Sequence, residues 1–132
     1  MSHQATVSQS MECLAERAVE LAAQSGYVLD FSAASVHRLE DWIHSMEVQK
    51  LDAEERKLLV SAWGAYLGEC FRREIGGEWV SWLDGRGNSV ALKARGLALL
   101  PVESVRKRVD QGHATPLPSY YKTLHLELQR RS

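Results

Sequence analysis

Residues 63–79 read Trp63-Gly64-Ala65-Tyr66-Leu67-Gly68-Glu69-Cys70-Phe71-Arg72-Arg73-Glu74-Ile75-Gly76-Gly77-Glu78-Trp79. From Leu58 to Phe71 the apolar residues go almost all the way round a helix, and a helix of that kind is surrounded by other elements. Gly64 and Gly68 lie on one side of it and cost roughly 1 kcal/mol each against alanine. Close approach of another backbone across that groove is the expected compensation. Gly76-Gly77 stops the helix, and Trp79-Val80-Ser81-Trp82-Leu83 has strand propensity. This stretch therefore predicts a central core helix that turns a charged corner into a sheet.

Outward from it, Asp52 and Glu55 resemble a capping box at the start of the central helix. Ser32 is a good N-cap for a preceding helix, on which Val36, Leu39, Ile43 and Met46 share one face. His37, Glu40, Asp41, His44 and Glu47 fall largely towards solvent on that pattern. A first helix runs from about Ser8 to Gln24, with Met11, Leu14, Ala18, Leu21 and Ala22 on one face, and Ser25-Gly26 ends it. Beyond the central helix, Asp84-Gly85-Arg86-Gly87-Asn88 forms a turn and Ser89–Leu92 returns as a second strand. Leu97–Leu100 is a candidate third strand. Pro101 opens a fourth helix that turns Val102, Val105 and Val109 inward and Arg106, Lys107 and Arg108 mostly outward, before Gly112 ends it. Residues 115–118 read as a rigid linker, and Ser119 begins a last helix through Tyr120, Tyr121, Leu124 and Leu128. The fold class is α+β, about five helices packed around a central apolar helix with a small antiparallel hairpin or three-stranded sheet. The 132 residues are read as one domain, with 1–7 and 129–132 frayed.

Apolar content of 45% and charged content of 25% are ordinary for a globular chain. The net charge of −1 is unevenly spread: −5 over residues 1–60, −1 over 61–89 and +5 over 90–132. Such asymmetry marks either an interaction surface or two regions that pack on each other. Cys13 and Cys70 make no disulfide framework and match no metal spacing. Cys70 is expected to be a buried hydrophobe. No apolar run is long enough to cross a bilayer and no secretory leader is visible, so a cytoplasmic location is expected.

Glu69 with Arg72 and Arg73 places opposite charges on neighbouring turns, and beside Trp79 they read as a structural corner and ion pair. His37, His44, Glu40 and Asp41 lack a third ligand and an HExxH arrangement, so they read as a solvated face. No nucleophile motif, phosphate-cradling loop or paired catalytic carboxylates occur, and neither catalysis nor a cofactor is expected. Two surfaces remain for a protein partner: the acidic helix around Glu40, Asp41 and Glu47, and the hairpin corner around Trp82 and Arg86. Arg106, Lys107 and Arg108, with Lys93, Arg95, Lys122, Arg130 and Arg131, give an alternative set of phosphate contacts to nucleic acid.

Tyr66-Leu67-Gly68-Glu69, Arg72-Arg73, Gly76-Gly77-x-Trp79, Pro101-x3-Val105-x-Lys107-Arg108-x3-Gly112 and Tyr120-Tyr121 together resemble a group of small uncharacterised bacterial domains. The likeness spans roughly residues 28–125. It implies a Gly-x-Trp corner leading into a short sheet, then a basic helix and a paired-aromatic segment. No enzymatic activity comes with the resemblance. Some members resemble immunity or accessory proteins encoded near bacterial toxins, which implies binding and not turnover. Leu99-Leu100-Pro101 departs from the pattern, since related chains often carry an asparagine before this proline.

Overall fold

A computed structural model describes residues 6–84, 87–112 and 116–131, with backbone alone for 82–84 and 87–89. Within it, α1 spans Val7–Gln24, α2 Ala33–Ser45, α3 Ala53–Ile75, α4 Pro101–Gln111 and α5 Leu117–Arg130. Strands β1 (Glu78–Asp84), β2 (Gly87–Ala94) and β3 (Leu97–Leu99) form an antiparallel sheet in the order β1-β2-β3. The α+β class expected from sequence is the one observed, third strand included. All five helices and all three strands contribute to one apolar core.

Helix α3 is the axis of that core. Every residue from Ala62 to Phe71 is buried, so no face of this segment meets water. Asp52 starts the helix by accepting the Glu55 amide at 2.8 Å, and Gly76 ends it with φ +101°. Helices α1 and α4 lie along α3, while α2 packs mainly on α5. The buried stripe of α1 is Met11 followed by Ala15, Ala18 and Ala22. Three alanines in a row of turns let the two helix backbones come close.

The two glycines of α3 explain how α4 and β1 dock. A Cβ on Gly64 would overlap the backbone of Val102 in the first turn of α4, with the Val102 nitrogen 2.9 Å away. That is the backbone approach the sequence predicts. At Gly68 the intruder is instead a side chain: a Cβ there would overlap the Trp79 indole and sit 3.1 Å from the Pro101 ring. The groove thus seats a helix start and an indole together. Interior packing tolerates little added volume, because surrounding atoms cannot all move at once.

Several boundaries differ from the sequence reading, each for a local reason. Helix α1 begins at Val7 because Thr6 and Gln9 form a reciprocal capping box, with the Gln9 amide donating to Thr6 Oγ1 at 3.0 Å. Helix α5 begins at Leu117, so Leu117 and Pro118 belong to the helix and not to a linker. Proline fits there because a first-turn amide has no intrahelical acceptor to lose. Arg130, placed in a fraying tail by the sequence, is the last residue of α5. Arg95 caps that end, donating to the carbonyls of Leu128 at 2.8 Å and Arg131 at 3.0 Å. The hairpin pairs Asp84 with Gly87, so β2 starts earlier than Ser89. Among the described residues no helix is long and apolar enough to cross a membrane.

Gly64→Ala and Gly68→Ala are each expected to lower the unfolding free energy by about 2 kcal/mol through overpacking. An open helix site would instead gain roughly 1 kcal/mol from the same change. Urea unfolding followed by tryptophan fluorescence separates the two, and stabilisation at either position would contradict a filled groove.

Candidate functional site

The charged corner comes first. Glu69 is fully buried, and its carboxylate is surrounded by N–H donors. One oxygen accepts Arg72 Nε and, at 2.9 Å, the Trp79 indole; the other accepts Arg72 Nη2 at 2.9 Å and Arg73 Nε at 3.2 Å. Burial pushes the Glu69 pKa up, but the hydrogen bonds from Arg72 and Trp79 and the Arg72 charge outweigh it and leave it lowered. Arg72 reaches on to Glu12 of α1 at 2.9 Å. Arg73 lies over the Phe31 ring, 3.6 Å from its centroid. The corner ties α1, α3, β1 and the α1–α2 link to one carboxylate, with no face of it open to a ligand.

A second buried polar layer lies one turn earlier on α3. Tyr66 Oη accepts the Phe31 amide at 2.8 Å and shares a hydrogen bond of 2.5 Å with Ser35 Oγ. That amide bond helps hold Phe31 at φ +65°, a conformation side chains rarely adopt. Cys70 is fully buried beside this pair, and burial pushes its thiol up to about 12. It stays protonated, the inert core thiol that the sequence suggests.

The third charged set corrects the sequence reading. Glu40 does not face solvent, and Arg108 does not point outward. Their side chains are 12% and 5% exposed and form a bidentate ion pair between α2 and α4. Arg108 Nε donates to both oxygens, at 2.9 and 2.7 Å, and Nη2 donates as well. The Leu117 amide donates to Glu40 at 2.9 Å, so the same carboxylate caps α5. The signal was present in the spacing. Glu40 follows Val36 by four residues and precedes Ile43 by three, and Arg108 follows Val105 by three, so both fall inside apolar stripes.

Of the remaining partner candidates, Asp41 and Glu47 are exposed; Glu47, expected on the second helix, instead lies past its end at Ser45, where it stands at the N-cap position of a short 3-10 turn and pairs with Lys50 at 2.8 Å. The side chain of Trp82 and the whole of Arg86 lie outside the described residues. The basic set is largely committed. Arg95 caps α5, Arg106 pairs with Glu103, Arg108 with Glu40, and Arg130 and Arg131 with Glu127. Lys93, Lys107 and Lys122 remain without a carboxylate partner among the described residues. No three His, Cys, Asp or Glu side chains in the described residues come together as a group able to hold a metal ion.

One feature the sequence reading missed is a cavity of about 540 Å³ between α2, α5 and the end of α3. Ala33, Ala34, Pro118 and Leu126 supply apolar wall, and His37, Glu74, Tyr121, Lys122 and His125 supply polar groups. Tyr121 Oη donates to Glu74 at 3.0 Å. His125 Nε2 is 3.0 Å from the other Glu74 oxygen, an ion pair when the imidazole is protonated. Burial, then the Glu74 contact, raises the Tyr121 pKa and keeps its proton in place. These residues come from three separated segments, and no local spacing announces them.

A model of a domain of unknown function, DUF3806, matches residues 38–121, well over half of the chain. The chain belongs to this family. The DUF3806 match runs from α2 into α5 and takes in Glu40, Glu69, Trp79 and Arg108; α1, which supplies Glu12, precedes it. No curated protein and no solved structure matches the chain.

Glu40→Ala is expected to cost about 3–5 kcal/mol, since it strands a buried arginine. Asp41→Ala, one residue away, is expected to stay within about 0.5 kcal/mol. Urea unfolding of the two variants checks this, and equal small effects would place Glu40 at the surface after all.

Proposed function

We propose that this DUF3806 domain is a non-enzymatic protein-binding domain of the immunity or adaptor kind, which binds a partner and blocks or chaperones it. The observation that carries the reading is the commitment of its charged side chains. Glu69 and Glu40, the carboxylates at the centre of the fold, have their oxygens occupied by arginine, indole and backbone donors. Groups locked in this way hold elements together and offer no proton or lone pair to a substrate. The resemblance to immunity and accessory proteins points the same way.

Asp41 and His44 are exposed near the end of α2, and Glu47, two residues beyond it and paired with Lys50, is exposed as well. A partner with a basic patch fits this edge, and charge complementarity there would speed association. The nucleic-acid alternative is less well supported, because five of the eight basic residues it draws on are engaged within the fold. Arg106 and Lys107 remain exposed on α4 and are the residues it would need.

Affinity capture from native lysate tests the reading when wild type is run beside the double variant Asp41→Lys with Glu47→Lys. One stoichiometric protein is expected with wild type, reduced about ten-fold or more by reversing two charges. Identical recovery by both would remove this surface. Nucleic acid recovered instead, and released by added salt, would move the function to the basic helix.

A further inference from the structure

We propose that the cavity between α2, α5 and the end of α3 binds a small carboxylate carrying an apolar body. This site is separate from the α2 edge assigned to a protein partner. Its volume of about 540 Å³ lies within the range of small-molecule pockets, about 300–1,000 Å³, which are mostly apolar with a few placed polar groups. Ala33, Ala34, Pro118 and Leu126 give the apolar wall. Leu126 is more than half exposed, an apolar surface that a ligand would cover.

The charge of the ligand follows from which polar groups are already engaged. From α3 the cavity is faced by Glu74, from α2 by His37, and from α5 by Ser119, Tyr121, Lys122 and His125. Glu74 is the only carboxylate among the described lining residues; one oxygen accepts from Tyr121, and His125 Nε2 approaches the other to 3.0 Å without making a hydrogen bond. Lys122 has no carboxylate partner among the described residues, and His37 adds a ring N–H. The accessible, uncommitted donors therefore favour an anion. The first turns of α2 and α5 both border the cavity; the α5 end already meets the Glu40 carboxylate, so the α2 dipole alone adds to that preference. A phosphate would leave the apolar wall unused; a carboxylate on a short hydrocarbon body uses both.

The test is a titration of the full ¹⁵N-labelled chain with sodium octanoate, octylammonium chloride and octanol near neutral pH, read by amide chemical shifts. Octanoate is expected to give saturable shifts around Ala33, Ala34, His37 and Lys122, and to bind about ten-fold tighter than the other two, as expected for one charge-assisted contact. Lys122→Glu, at an exposed position, should weaken octanoate about ten-fold with an unchanged urea midpoint. Ala34→Phe, which fills the cavity from an exposed helix position, should abolish saturation. Octylammonium or octanol binding as tightly as octanoate would overturn the anion assignment. Absence of saturable octanoate shifts, shifts on another face, or unchanged binding by Lys122→Glu would overturn the site.

Discussion

A carboxylate removed completely from water has to be neutralised by what surrounds it, and in this fold that requirement falls on Glu69. Desolvating such a group costs several kcal/mol unless its lone pairs are filled and a counter-charge is close. Two arginines on the same helix supply the charge, and the indole N–H of Trp79 supplies a donor from the first strand. Because Arg72 also holds Glu12, the first helix is bound into the same cluster. The indole that satisfies Glu69 also fills the space left by Gly68. Electrostatics and packing therefore fix the helix-to-strand corner together, and neither can change without the other.

The pairing of charge with an apolar stripe recurs through the molecule. Glu40 and Arg108 each sit in the buried face of their own helix and find each other across the interface. His125 stands four residues after Tyr121 and three before Leu128 on α5, and its ring stacks on Tyr121 while its nitrogen approaches Glu74. In each case a polar side chain on an apolar face reaches across to a second helix. Buried polar pairs specify geometry more than they add stability.

Much of this fold is legible in the chain because it rests on local rules. Ser32 and Asp52 cap helices, Gly76 and Gly112 end them, and Trp79 to Leu83 carries strand-forming residues, all within a few residues of their cause. The apolar circumference of α3 is enough by itself to mark it as the central helix. What resists reading is long-range: Glu40 finds Arg108 sixty-eight positions away, and solvent-facing periodicity gave no partner to look for. The cavity is harder still, since Ala33, Glu74 and Lys122 become neighbours only through the packing of three helices. Glu40 was nevertheless detectable as a charge inside an apolar stripe, and that rule applies equally to Arg108.

The account depends on one coupling, between the Glu69 carboxylate and the Trp79 indole. A double-mutant cycle with Glu69→Leu, Trp79→Phe and both changes together, followed by urea unfolding, measures it directly. The predicted interaction energy is about 1.5–3 kcal/mol, as for a buried hydrogen bond to a charged acceptor. Additivity of the two single changes within about 0.5 kcal/mol would contradict it. In that case Arg72 and Arg73 alone would neutralise Glu69, and the indole would hold the strand by packing alone.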